Sequence, residues 1–310
     1  MTLTAVILTF NEARHIERAM ASVAGIADHI LVVDSFSTDR TRELAEAAGA
    51  IVLQNPWKNH ATQFNWALDH LPAGNDWVLR LDADEVVTEA LAGEIKAGLA
   101  GLGDEIDGVF VPRRMTFLGK TIRWGGVFPV QVLRLFRAGR GRCENRWMDE
   151  HIKVPGQTTQ FTGELIDDNL NSLTWWTTKH NSYASREVVD LLNLKHGFMP
   201  HETVADLAGW QQAGVKRWFK EHVYARLPGG ARAFSYFLYR FVVRLGFLDG
   251  TRGAAFHVLQ GFWYRYLVDM KLMEVTRYMD EHETTAPEAI HEVLGIDLRG
   301  AGGAAEHGLG

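Results

Sequence analysis

The stretch WVLRLDADEVV, residues 77–87, changes from apolar to acidic within a few positions. Its first half suits a buried strand, because it contains Trp77, Val78, Leu79 and Leu81. Three carboxylates then crowd together at Asp82, Asp84 and Glu85. Like charges this close raise one another's pKa. Either a cationic group neutralises them, or the strand simply ends in water.

The residues before this stretch alternate between strand and helix patterns. Strand-like runs occupy 4–10, 29–35 and 50–55, with helical patterns after each of them. We therefore predict a βαβαβαβ unit, which is a parallel sheet with helices on both faces. In such sheets, ligands bind beyond the carboxyl ends of the strands.

Polar residues follow the predicted strands at that edge. They are Thr9, Asn11 and Glu12 after the first strand, Asp34 and Asp39 after the second, and Asp82, Asp84 and Glu85 after the fourth. The sequence there has no P-loop and no G-x-G-x-x-G turn. A nucleotide at this edge would need another partner for its phosphates, and a divalent metal held by Asp84 and its neighbours would serve.

Composition narrows the class of protein. The chain has 310 residues, 46% of them hydrophobic, and a net charge of -6, so as a whole it is no polyanion binder. Residues 214–277 nevertheless carry 11 Lys/Arg against 4 Asp/Glu, which suggests a segment that meets a negative surface. A single cysteine fits a reducing compartment. The N-terminus has no signal-peptide pattern, and no apolar run is long enough to span a bilayer.

After about residue 108 the alternating pattern of strands and helices ends. From about 108 to 165 we predict shorter strands, mixed into the sheet, and from 172 to 192 a strong helix capped by Ser172. The predicted division is a catalytic domain at 1–205, a basic aromatic helical region at 206–280, and a short helix with a disordered tail at 281–310.

Several motifs occur in a characteristic order: TAVILTFNE, ILVVDSFSTDRT, RLDADE, GGVFP, QVLRLFR, DEHI and LTWWTTKHNSYASREV. This ordered set resembles glycosyltransferase family 2, and within it the bacterial lipopolysaccharide-core and exopolysaccharide enzymes. The resemblance covers residues 1 to about 195. It implies a GT-A fold with a Rossmann-like mixed sheet, a nucleotide-diphospho-sugar donor, most commonly a uridine one, and inversion at the anomeric carbon.

The resemblance also implies roles for the strand-end residues. The nucleotide-sugar site would comprise Thr9, Asn11, Glu12, Asp34, Asp39, Asp82 and Arg134. Asp82 and Asp84 match the family's Asp-x-Asp motif, in which the second aspartate usually ligates the metal and the first holds ribose or metal. Carboxylate oxygens suit hard cations, so Mg²⁺ or Mn²⁺ is implied. The crowded carboxylates are thereby explained by a dication between them and the diphosphate.

Inverting transfer needs a general base for the acceptor hydroxyl. Glu150 in WMDEHI aligns with the acidic residue of the family's His-Glu motif, although Asp149 replaces the usual histidine, so Asp149 is the second candidate. Arg134 and Arg137 either clamp phosphate with their forked donors or form structural ion pairs. Asp167 stands where relatives often carry a histidine, which leaves a third metal ligand open.

The basic aromatic region has two interpretations. Its helices either lie in a membrane interface, with Arg240, Arg244 and Arg265 on anionic lipid, or form an ordinary core-covering pair. No nucleic-acid-binding motif accompanies it. The expected protein is a metal-dependent glycosyltransferase, peripheral on the inner face of the cytoplasmic membrane, with a lipid-linked or lipopolysaccharide-core saccharide acceptor. The alternatives are a sugar-nucleotidyltransferase and an inactive membrane scaffold with the same fold.

Overall fold

The computed structural model describes residues 1–144, 151–199 and 229–298. The strands are β1 Leu3–Thr9, β2 His29–Asp34, β3 Ile51–Gln54, β4 Trp77–Asp82, β5 Glu85–Val87, β6 Ile106–Phe117, β7 Lys120–Thr121, β8 Val130–Arg137, β9 Arg142–Cys143, β10 Ile152–Lys153, β11 Gln157–Gln160 and β12 Leu165–Asp168. Ten of them form a mixed sheet whose principal strand order is β3-β2-β1-β4-β8-β6-β12-β5. The predicted mixed α/β architecture is confirmed.

Strands β3, β2, β1 and β4 run parallel, as the alternating pattern predicts. Their register sets Thr9 opposite Asp34 and Leu8 opposite Asp82. Three strand ends therefore lie side by side at one edge of the sheet. This is the edge at which ligands bind in α/β sheets.

Helices cover both faces of the sheet. They are α1 Ile16–Val23, α2 Thr41–Ala47, α3 His60–Asp69, α4 Glu89–Gly98, α5 Leu173–His196, α6 Gly229–Leu238, α7 Gly250–Phe256, α8 Tyr264–His282 and α9 Ala286–Leu294. One apolar core contains residues of α1 and α4, and a second contains residues of α3. The expected coverage of both faces is thus present.

The second half of the sheet depends on β8. This strand lies antiparallel between β4 and β6, and its register sets Trp77 opposite Arg137. At the far end, β12 pairs with β5 and sets Asp167 opposite Glu85. Strands from distant parts of the chain therefore bring their charged residues to the same edge as Asp82.

The C-terminal helices form a third apolar core with α5. Val188 and Leu192 of α5 pack with Tyr264 and Val268 of α8. Ser172 caps α5 by accepting a hydrogen bond from Trp175 N at 3.2 Å, as predicted. No helix in the three described stretches is long and apolar enough to cross a membrane. The predicted boundary at 205/206 lies outside the described residues and stays a prediction.

Candidate active site

The ends of β1 and β2 form the first part of the site. Thr9 donates its hydroxyl hydrogen bond to Asp34 Oδ1 at 3.1 Å, and both side chains are buried. Asp34 also accepts Ser37 N at 2.9 Å and the amide of Gln54 at 3.3 Å. These three donors hold the Asp34 carboxylate in one orientation within the sheet edge. The hydrogen-bonded pair of Thr9 and Asp34 therefore forms a rigid floor of the site, on which a ligand would lie.

Asn11 organises the loop above that floor. Its backbone has a φ of 55°, a left-handed conformation that asparagine tolerates better than most residues. Its Oδ1 accepts Thr38 N at 2.9 Å, and its own N–H donates to the Ser37 hydroxyl at 2.8 Å. Asp39 accepts Ala13 N at 3.1 Å and Thr41 N at 2.9 Å, so it ties the two loops together.

Glu12 belongs to a chain of hydrogen bonds that sequence reasoning missed. Leu170 N donates to His15 Nε2 at 2.9 Å, so the proton of this buried imidazole sits on Nδ1. That nitrogen then donates to Glu12 Oε2 at 2.5 Å. The chain fixes the Glu12 carboxylate at the edge. Only the i,i+3 spacing of Glu12 and His15 could have signalled it.

The Asp82 carboxylate lies in a cluster of four charged groups. Arg134 Nη2 donates to Asp82 Oδ2 at 2.8 Å and also to Glu85, which is buried, and Arg80 Nε lies 3.5 Å from Asp82 Oδ1. Burial would raise the pKa of Asp82, but Arg134 and Arg80 outweigh it and hold that pKa well below its usual range. Burial raises the pKa of Glu85, although Arg134 opposes this. Asp82 is therefore the carboxylate that keeps its charge.

Asp84 has a different environment. Its Oδ2 accepts only an amide hydrogen bond in the described part of the chain, from Asn169 at 2.9 Å. Asp167 lies close by, and burial together with the Asp84 charge raises the pKa of Asp167 to about 6, while Arg113 opposes it. Arg113 Nη1 lies 3.7 Å from Asp167 Oδ2. Two carboxylates that repel each other are nevertheless a donor set that suits a hard dication.

The protein itself supplies few ligands for such an ion. Within residues 1–144, 151–199 and 229–298, no group of three His, Cys, Asp or Glu side chains is arranged to hold a metal. A dication at Asp84 would therefore need oxygens from its ligand. Diphosphate oxygens are suitable partners, because Mg²⁺ is commonly bound through one or two carboxylates plus substrate phosphates.

Lys179 on α5 adds a positive charge to the acidic edge of the sheet. Lys179 stacks over the rings of Trp175 at 4.6 Å and Tyr183 at 5.7 Å. Burial would lower the pKa of Lys179, but Tyr183, Asp84 and Glu12 keep it above its usual range. The ammonium group is thus charged at the acidic edge. The sequence analysis predicted the helix but did not single out Lys179.

The structure brings together most of the predicted residues. Thr9, Asn11, Glu12, Asp34 and Asp39 form one cluster, and Asp82, Asp84 and Arg134 form the next. Arg137 is elsewhere: it donates to Ile106 O at 2.8 Å and lies over the Trp77 ring. The predicted base candidates Asp149 and Glu150 lie outside the described residues.

Two exposed aromatic rings also flank this edge. Phe10 stands between Thr9 and Asn11 at the end of β1, and Phe36 stands two residues beyond Asp34. Phe36 has a φ of 60°, so its loop, like that of Asn11, adopts a left-handed turn. An aromatic residue between polar strand-end residues is the sequence signal that could have identified Phe10.

Acidic strand ends, hydroxyl donors and an exposed ring, on a mixed sheet without a glycine-rich phosphate loop, define a site of the GT-A type. Residues 4–150 match the model of Glycosyl transferase family 2. The chain is 33% identical, over 192 residues, to the lipopolysaccharide core biosynthesis glycosyltransferase LpsC of Rhizobium meliloti, covering 60% of this chain and 70% of LpsC. The chain therefore belongs to glycosyltransferase family 2.

Other relatives match over shorter stretches. An uncharacterized glycosyltransferase of Rickettsia bellii is 46% identical over 94 residues, which cover 30% of this chain and 31% of that protein. A crystal structure of glucosyl-3-phosphoglycerate synthase from Mycobacterium tuberculosis with Mn²⁺, UDP and glucosyl-3-phosphoglycerate is 23% identical. That match covers 37% of this chain and 44% of the synthase, with a TM-score of 0.30.

Proposed function

We propose that the protein transfers a sugar from a nucleotide-diphospho-sugar to a lipid-linked or lipopolysaccharide-core saccharide, with inversion at the anomeric carbon. The observation that carries this proposal is the contrast at the end of β4, where Asp82 is paired with Arg134 and Asp84 keeps a side available for a dication. Family membership and the similarity to LpsC support the reaction class and the acceptor. We place the protein on the inner face of the cytoplasmic membrane, where nucleotide sugars are supplied.

Each part of the edge has a role in this proposal. The nucleoside would lie over the Thr9–Asp34 floor, with its base against the exposed ring of Phe10 and its ribose near Asp82. Asp84 would hold Mg²⁺ or Mn²⁺, and Asp167 is the second carboxylate within reach of that charge. A bound dication would neutralise the leaving diphosphate. Lys179 would add a fixed positive charge on the same side.

The chemical step needs a base from this chain. In our proposal the carboxylate of Glu150, or that of Asp149, removes the proton of the acceptor hydroxyl. The acceptor oxygen then forms a bond to the anomeric carbon as the bond from that carbon to the diphosphate oxygen breaks. The proton stays on the carboxylate, and the electron pair leaves with the nucleoside diphosphate.

The metal assignment is tested by titration of the Asp84→Ala variant with UDP and Mn²⁺. We expect Mn²⁺-dependent UDP binding to be lost while the unfolding temperature stays unchanged, because Asp84 is partly exposed and has few partners. Asp76→Ala is a matched control, since Asp76 precedes β4 and lies at the opposite end of that strand. Mn²⁺-dependent binding that survives in Asp84→Ala would overturn the assignment.

The base is tested by turnover of Glu150→Gln and Asp149→Asn. Loss of a positioned base costs about 10²–10⁴-fold in rate, and we expect that loss in Glu150→Gln with UDP binding intact. The donor is first identified by the rise in unfolding temperature with UDP-, GDP-, ADP- and dTDP-sugars, since a ligand stabilises the state that binds it. Normal turnover in Glu150→Gln with a dead Asp149→Asn would move the role to Asp149.

A further inference from the structure

The turn between α6 and α7 exposes a run of large apolar side chains. Five residues within 242–248 are between 40% and 67% exposed: Val242, Val243, Leu245, Phe247 and Leu248. Single exposed apolar residues are normal on protein surfaces, but a contiguous group marks a site of interaction. Gly246 in this turn packs closely against His257, since a Cβ at Gly246 would lie 2.7 Å from that ring.

Two loops of the sheet domain extend this group. Arg252 Nη1 donates to Leu118 O at 3.0 Å, which places the exposed Leu118 beside α7. Arg123 N and Trp124 N both donate to Asp249 at 3.0 Å, which places the exposed Trp124 beside the turn. We call these seven residues the apolar tip: Leu118, Trp124, Val242, Val243, Leu245, Phe247 and Leu248.

The charges around the apolar tip are of one sign. Its exposed basic neighbours are Lys120, Arg123, Arg244 and Arg252. The segments 118–130 and 229–262 contain a single acidic residue, Asp249, which is buried. None of the four basic side chains forms an ion pair with another described residue. Such a surface, with exposed apolar groups beside cations that lack a carboxylate partner among the described residues, complements an anionic bilayer. Attraction to the bilayer contributes about 1 kcal/mol for each basic residue near its surface.

We propose that the apolar tip docks into the interface of an anionic lipid bilayer, with Lys120, Arg123, Arg244 and Arg252 on the headgroups. This inference deepens the proposed function, because it names the surface that faces a lipid-held acceptor. The tip is also connected to the site along the chain. Residues 122–129 run from the tip into β8, and β8 carries Arg134 to Asp82.

The structure refines which arginines face the lipid. Arg244 is exposed, as the membrane interpretation requires. Arg240 is buried and donates to Gly125 O at 3.2 Å, so it holds the loop to the helices. Arg265 Nη1 is paired with Glu187 at 2.8 Å. The expectation that all three rest on lipid is therefore wrong for Arg240, and Arg265 already has a carboxylate partner.

The lone cysteine allows a direct test, because Cys143 is buried and an introduced cysteine can be labelled selectively. The full chain carries Val243→Cys with an environment-sensitive fluorophore, and the matched control carries Met273→Cys on α8, which is similarly exposed at 60%. Vesicles of phosphatidylglycerol and phosphatidylcholine should raise and blue-shift the fluorescence at 243 and leave 273 unchanged. Equal responses at both positions, or none at 243, would overturn the proposal.

Co-sedimentation with the same vesicles measures affinity without any sugar donor. Val243→Glu with Leu248→Glu should lower the partition coefficient by about tenfold or more, since each loses the burial of an apolar side chain. Lys120→Gln with Arg244→Gln should lower it by roughly tenfold, and pure phosphatidylcholine vesicles should bind weakly. Met273→Glu should bind like the unchanged chain.

Further measurements distinguish membrane docking from dimerisation of the chain and from the proposed sugar transfer. A dimer in light scattering that Val243→Glu dissociates, together with no vesicle binding, would make the tip an interface between two copies and overturn the proposal. Asp84→Ala should still bind vesicles, because its change lies in the donor site. Vesicle binding that fails while sugar transfer to a soluble acceptor persists would refute only the membrane surface, whereas bound but inactive protein would refute the proposed function.

Discussion

The sheet edge buries charged groups, whereas the apolar tip exposes apolar groups. At the sheet edge, charged groups are buried and find partners within the chain, as Asp34 does with Thr9, Ser37 and Gln54. At the tip, apolar groups are exposed although Phe117, Ile122 and Phe256 form a buried apolar cluster next to them. A buried charge must be paired because desolvation is costly, whereas an exposed apolar group costs little until something covers it.

This difference separates structural residues from binding residues. Where the chain already pairs a buried group, as Arg134 pairs with Glu85, that pair supports the fold and the shape of the site. Where a group has few partners among the described residues, as with Asp84 or Val243, our proposals assign it an external partner. The predictions below test whether the satisfied groups do carry the stability.

The largest effect is expected for Arg134→Met. This change leaves Asp82 and the buried Glu85 without their shared cation, and breaking a buried ion pair costs about 3–5 kcal/mol in the free energy of unfolding. Urea unfolding measures it. Arg142→Met is the control, because Arg142 pairs with Asp69 at 2.6 Å at the surface and should be nearly neutral. Similar losses in both variants would contradict the contrast between buried and exposed pairs.

The sheet edge was largely predictable from the sequence. Strand runs followed by polar residues place Thr9, Asp34 and Asp82 at one edge, because parallel neighbours align their carboxyl ends. The partner of Glu85 was not predictable in this way. Arg134 lies 49 residues further along the chain and reaches Glu85 only because β8 inserts between β4 and β6.

The tip was predictable only in outline. Basic and aromatic composition indicates a surface for a negative partner, but it does not say which side chains face outward. Arg240 and Arg244 are four positions apart, yet Arg240 is buried against Gly125 and Arg244 is exposed. A π-helical segment at 239–243 shifts the helix register there, which helical periodicity of the sequence cannot show.

An intermediate effect is expected for Asp249→Ala, which tests the junction between tip and sheet. The change removes the acceptor of Arg123 N and Trp124 N in a buried position, and each unsatisfied donor costs about 1–3 kcal/mol. We expect about 2–4 kcal/mol in urea unfolding and weaker vesicle binding, because Trp124 would no longer be held beside the turn. Asp104→Ala is the control at an exposed ion pair with Arg137. An unchanged free energy of unfolding would show that other contacts hold this loop.

The smallest effect concerns two stacked Trp–His pairs, one at the end of α3 and one on α5. His180 stacks on Trp176 and His70 on Trp66, and in both pairs histidine Nδ1 lies 2.8 Å from the tryptophan carbonyl oxygen. They differ in burial, because His70 is exposed and His180 packs against the C-terminal helices. Burial lowers the pKa of His180 to about 4, and Lys179 contributes to that shift, while the Trp176 carbonyl opposes it.

The sign of the pH effect follows from that shift. Since the folded-state pKa of His180 is below its unfolded value of about 6.5, its contribution to stability is complete above pH 6.5 and is lost as the pH falls towards 4. His180→Gln removes this dependence on pH. Between pH 7.5 and pH 4.5 the free energy of unfolding of the unchanged chain should therefore fall by about 2 kcal/mol more than that of the variant. Partial exposure of the ring limits this difference. Urea unfolding at both pH values measures the difference. His70→Gln is the matched substitution at an exposed ring. A His180→Gln variant that loses as much stability as the unchanged chain between the two pH values would show that the His180 ring is protonated in the folded chain at pH 4.5.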